Sequence, residues 1–125
     1  MTPRAKRGRR KLFRWYTPRF NGHRPASVSV AGRTFIAESW RDVFLNTCEF
    51  VQVRKPSEFP RILELKGRKR PWFSRKSSEL HDPVRIRGTD LYAETNVNAN
   101  GLVLRCLHVL NLFGLEPKID VTFER

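Results

Sequence analysis

The segment "NANGLVLRCLHVLNLFG", residues 98–114, constrains the fold more than any other part of the chain. Asn98 is a helix-capping residue type, and Gly114, followed by Leu115 and Pro117, has the character of a helix stop. Between them Leu102, Val103, Cys106, Leu107, Leu110 and Phe113 recur at helical spacing, which predicts a buried helix over residues 99–113. Arg105, His108 and Asn111 fall three apart on its more polar side. A helix so apolar needs cover on most of its surface, so the rest of the chain must supply a second layer.

That cover is legible on both sides. "SVSVAGRTF" alternates Val28 and Val30, turns at Ala31-Gly32 and returns through Phe35, a hairpin pattern. Ser39 with Asp42 forms a capping-box-like start. Trp40, Val43, Phe44, Thr47, Cys48 and Val51 then trace a helical stripe. "PSEFPRILELKG" predicts a short second helix capped by Ser57 and ended by Gly67. "VRIR" and "LYAET" read as strands around a "GTD" turn, and "KIDVTFE" as a closing strand. The order is ββααββαβ: an α+β domain with a mostly antiparallel sheet against two main helices. It spans residues 26–125, with residues 1–25 as a flexible basic arm. At 125 residues no second domain is called for.

Charge is the second constraint. The chain holds 25 Lys and Arg against 12 Asp and Glu, and it is unevenly loaded. Residues 1–25 carry nine cations, among them Arg7, Arg9, Arg10, Lys11 and Arg14, and no acid. Solubility alone needs no such exclusion of acids, and a field of this sign draws polyanions, nucleic acid first. "KGRKRPWFSRK" repeats the pattern in the body. Lys66, Arg68, Lys69, Arg70, Arg75 and Lys76 surround Trp72 and Phe73 behind the stiffening Pro71. Guanidinium and ammonium groups bridge phosphates, and an aromatic beside them can stack on a base. One of the two aromatics should anchor this segment in the core. Arg85 and Arg87 alternate with Val84 and Ile86 and extend the basic face if that strand adjoins the loop.

These residues lead to an expected function: a nucleic-acid-binding accessory protein that grips the phosphate backbone with low sequence specificity. No zinc-finger spacing, paired RNA-recognition aromatics or helix-turn-helix points to base reading. The alternative is a protein-interaction module within a larger nucleoprotein or defence assembly. Catalysis is not expected. No nucleotide, hydrolase or zinc-protease motif occurs, and no cofactor or metal is implied. A metal-dependent nuclease built on Asp90 and Glu94 is a minor alternative. Cys48 and Cys106 fit buried thiols of a reducing compartment, no stretch is apolar for long enough to span a membrane, and a cytoplasmic protein is expected.

Three segments, "ESWRDVF", "LELKGRKRPWFSRKSSEL" and "DLYAETNVNANGLVLRCLHVLNLFGL", resemble a small uncharacterised prokaryotic domain. Its marks are a Ser-Trp helix start, a GR-basic segment ending in aromatic-Phe-Ser, and a Y-x-ETN-x-x-A junction. That domain is found alone or attached to restriction-type and other DNA-associated proteins. The resemblance runs from Val28 to Phe123 and leaves out residues 1–25. It implies no established activity, and it favours nucleic-acid or defence-system work by association.

Overall fold

A computed structural model describes residues 9–12, 24–68 and 70–124. Among these residues the architecture is α+β, with two antiparallel sheets, two α-helices and two short 3-10 turns. Seven strands run in chain order: β1 (Arg9–Leu12), β2 (Arg24–Val30), β3 (Arg33–Ile36), β4 (Phe73–Ser74), β5 (Pro83–Arg85), β6 (Tyr92–Glu94) and β7 (Ile119–Glu124). The helices are α1 (Trp40–Arg54) and α2 (Ala99–Leu112).

The larger sheet has the order β1-β7-β2-β3. Val28 pairs with Val121 and Val30 with Ile119, and all four are buried, so the alternation in each strand places its apolar set on one face. β2 and β3 are joined at Ala31-Gly32, where both residues have positive φ, 49° and 83°. That is the twist a two-residue hairpin needs, and Gly32 accepts it without a Cβ penalty, whereas Ala31 does not.

Both α-helices start on side-chain caps. Ser39 Oγ accepts from the Asp42 N–H at 3.1 Å, and Asp42 in turn accepts from the Glu38 N–H. Asn98 Oδ1 accepts from the Gly101 N–H at 2.8 Å. The helices pack on each other, with Cys106 Sγ of α2 reaching Val43 O of α1; Val43, Phe44, Thr47, Cys48 and Val51 of α1 and Leu102, Val103, Cys106, Leu107 and Leu110 of α2 are buried. The thiols of Cys48 and Cys106 are fully buried, and burial pushes the Cys106 thiol up to about 12. One apolar cluster takes residues from both helices and both sheets. Within it Phe44 meets Phe73 at 5.8 Å, and Phe59 stacks on Phe113 at 5.8 Å.

Three expectations need correction. "PSEFPRILELKG" forms a 3-10 turn over Phe59–Glu64 in place of an α-helix, and Ser57 does not cap it. Pro56 and Pro60 remove two backbone donors from a very short segment, which keeps it from propagating as α. The basic segment contains a strand: Phe73 and Ser74 pair with Ala93 and Tyr92, so β4-β6-β5 is a sheet of its own. The arm is not separate throughout. Arg9–Leu12 pair with Ile119–Thr122 and extend the larger sheet beyond the boundary expected at residue 25.

Candidate nucleic-acid interface

The basic segment has backbone order of its own. Lys66 and Pro71 form an antiparallel bridge, and the Gly67 N–H donates to Arg70 O at 3.0 Å. Arg68 therefore sits on a tight turn closed by Gly67 and Arg70. Gly67 is favoured by close approach: a Cβ there would lie 3.1 Å from Trp72 Nε1 and 3.4 Å from Arg70 O. At the foot of the turn Phe73 is buried, 2% exposed, and packs in the core, so it is the anchoring aromatic.

Lys66, Arg68 and Arg70 are exposed and make no ion pair with any described residue. The same holds for Lys76, Arg85 and Arg87. Arg75 differs, because its guanidinium donates to both oxygens of Asp90, at 3.0 and 2.8 Å. This exposed fork ties the exit of the basic segment to the β5–β6 turn, and an exchangeable surface pair of this kind contributes about 0–1 kcal/mol. Asp90, one of the two carboxylates of the nuclease alternative, is thereby engaged with a cation.

Trp72 is half-buried and not a free stacking platform. The Arg105 guanidinium lies over its ring, 4.5 Å from the centroid, and His108 meets it edge-on at 5.4 Å. Burial draws the His108 imidazole below its ordinary pKa. Arg85 stands opposite Tyr92, which stands opposite Ser74. Two strand spacings thus separate Arg85 from the basic segment, roughly 10 Å. Arg9, Arg10 and Lys11 lie on the edge strand β1, while Arg7, Arg14 and Lys69 fall outside the described residues.

Sequence reasoning missed a half-open pocket beside the turn. Arg70, Pro71, His81, Glu94, Asn96 and Arg105 line it, together with Val97, around a volume of about 390 Å³. Its floor is a polar clamp. Glu94, 6% exposed, accepts from the main-chain N–H groups of His81 at 2.6 Å, Asp82 at 2.9 Å and Asn96 at 3.1 Å. Thr95 donates its hydroxyl to Asp82 O at 2.8 Å. The "ETN" run therefore fastens the 81–82 corner to the end of β6. Three main-chain donors already occupy the Glu94 carboxylate, which fits it for holding backbone. Across the pocket, burial draws the Arg105 pKa below its ordinary value while the Glu94 charge raises it. Arg105 Nη1 is shut off from water and has no hydrogen-bond acceptor. The sequence signal for this site was an arginine set into a mostly apolar helix.

Among the described residues no three His, Cys, Asp or Glu side chains are grouped to hold a metal, and no helix is long and apolar enough to cross a membrane. No protein-family model, curated protein or solved structure matches the chain.

Proposed function

We propose that this is a nucleic-acid-binding accessory protein of the cytoplasm that grips the phosphate backbone with little regard to sequence. The observation carrying this reading is the turn of residues 66–71. Lys66, Arg68 and Arg70 are exposed there and free of carboxylate partners among the described residues. Their backbone is braced by the Lys66–Pro71 bridge and anchored by Phe73. A braced turn holds its charges at fixed spacing, so less side-chain and backbone freedom is lost on meeting a phosphate array. Trp72 supports the turn from below in this reading and does not stack on bases. Lys76, Arg85, Arg87 and the basic arm around Arg9, Arg10 and Lys11 broaden the contact, with Arg75 joining when its pair with Asp90 opens. The resemblance to a domain attached to DNA-associated proteins points the same way.

A salt titration of binding to random-sequence duplex tests the proposal. Observed affinity should fall steeply with salt, and Arg68→Ala/Lys69→Ala/Arg70→Ala should weaken binding to all sequences alike. The log–log salt slope of that triple variant should be shallower by about two to three, near 0.9 for each phosphate no longer neutralised. An unchanged affinity removes the turn from the interface.

A second reading, a protein-interaction module, is favoured by Ile36 and Val53, which are 83% and 71% exposed. Val53 borders a shallow groove with Phe35 and Phe50. Salt-insensitive behaviour toward duplex, with binding to a protein lost on Ile36→Ser/Val53→Ser, would favour that reading.

A further inference from the structure

We infer that the pocket between the basic turn and α2 receives the terminal phosphate monoester of a nucleic-acid strand. The inference rests on the phosphate-binding function proposed above and gives that function a strand-end preference. Three observations lead to it.

Arg105 is held for recognition. Its guanidinium lies over Trp72 and its Nη1 has no acceptor, although it is shut off from water. A guanidinium donor without a partner is costly, and an oxyanion in the pocket that Arg105 lines removes that cost once a small side-chain shift brings the N–H to it. The contact with the indole holds the guanidinium beside that pocket.

The remaining lining is rich in donors. Arg70 is exposed on the turn side and makes no ion pair among the described residues, and the His81 ring and Asn96 amide can each donate. Glu94 offsets one guanidinium, but its oxygens already accept three main-chain N–H bonds, so it presents little free acceptor capacity. A monoester carries about −1.5 to −2 at neutral pH and three acceptor oxygens, against one negative charge on a backbone diester. It is therefore the better match for two guanidiniums.

Charge separates an end from the middle of a strand. The volume of about 390 Å³ lies at the low end of ligand pockets, roughly 300–1,000 Å³. A terminal monoester brings its fuller charge to Arg70 and Arg105 together, whereas an internal diester offers the pair a single charge.

The test compares one oligonucleotide bearing a 5′-phosphate, a 3′-phosphate or hydroxyl ends, at fixed near-physiological salt, on the full chain. One phosphorylated end should bind about tenfold more tightly than the hydroxyl-ended strand. Arg105→Gln should abolish that preference, read as the ratio of the phosphorylated to the hydroxyl-ended affinity in the same variant. Arg70→Gln should lower both and narrow the ratio between them; its site is exposed, so that ratio carries the test if Arg105→Gln does not fold. Equal affinity for all ends overturns the inference and leaves the proposed function standing. If no oligonucleotide binds, the proposed function fails and the pocket is judged by itself. Saturable shifts of the Trp72 indole N–H resonance with a nucleoside 5′-monophosphate, matched by inorganic phosphate and lost in Arg105→Gln, support a phosphate site for free monoesters. No shift, or an equal response to acetate, overturns it.

Discussion

The two sheets are held together by different physics. In the larger one, strands of four to seven residues pair over long registers, and Val28, Val30, Ile119 and Val121 are driven together by loss of apolar surface from water. In the smaller one, strands of two and three residues make too few ladder bonds to persist alone. Their inner face is apolar through Phe73 and Ala93. Their ends are fastened by polar side chains that stand in for the missing ladder: Glu94 on three N–H groups, Thr95 on Asp82 O, and the Ser74 hydroxyl on Glu79. The lesson concerns where function can sit. A well-packed apolar layer has no place for a charged guest, whereas a corner assembled from buried carboxylate, hydroxyl and guanidinium groups already holds polar atoms out of water.

Four substitutions probe the contrast, in decreasing order of effect. Phe44→Ala removes the ring that joins α1 to Phe73 of β4 and should cost about 3–5 kcal/mol in denaturant unfolding. Both halves of the domain should unfold together, since they share one cluster; two separated transitions would break the single-core picture. Glu94→Gln keeps the shape but replaces an ionised acceptor of three N–H bonds, and should cost about 2–4 kcal/mol. Amide exchange should quicken at His81, Asp82 and Asn96 while β2 and β7 stay protected. A loss spread evenly over both sheets would erase the difference between them. Gly67→Ala presses on Trp72 Nε1 and Arg70 O and should cost roughly 0.5–1 kcal/mol, with a shifted indole resonance for Trp72. An unmoved indole would show that the turn has more room than the 3.1 Å approach allows. Ala31→Asn, at a φ of 49°, should stabilise the larger sheet by about 0.5–1 kcal/mol in thermal melts, because Asn tolerates the left-handed region better than Ala.

Legibility in the sequence follows the same divide. α1 and α2 could be read because a helical apolar stripe and a side-chain cap are local signals, and the residues that carry them are neighbours in the chain. The Ala31-Gly32 hairpin could be read for the same reason. β4 could not be. Phe73 and Ser74 show no period-2 run, and they become a strand only because β6, some twenty residues later, offers its edge. β1 was hidden within a cation-rich tract whose composition suggests a free arm, and it is defined by pairing with β7 near the far end of the chain. The 3-10 turn over Phe59–Glu64 carries an apolar pattern that suits either helix type, and its prolines set the outcome.

The candidate site divides likewise. The basic turn stands out in the sequence because like charges are contiguous there. The pocket does not, since Arg70, His81, Glu94 and Arg105 come from four separate stretches of the chain, and each taken alone has an ordinary explanation. By itself the sequence determined the helices, the two-residue hairpin, the excess of positive charge and its clustering, all consequences of residues close along the chain. Only the tertiary structure decided which arginine is paired, which is stacked on an indole, and which buried carboxylate faces them. Those outcomes depend on long-range strand pairing, and its register is fixed only when the whole core closes.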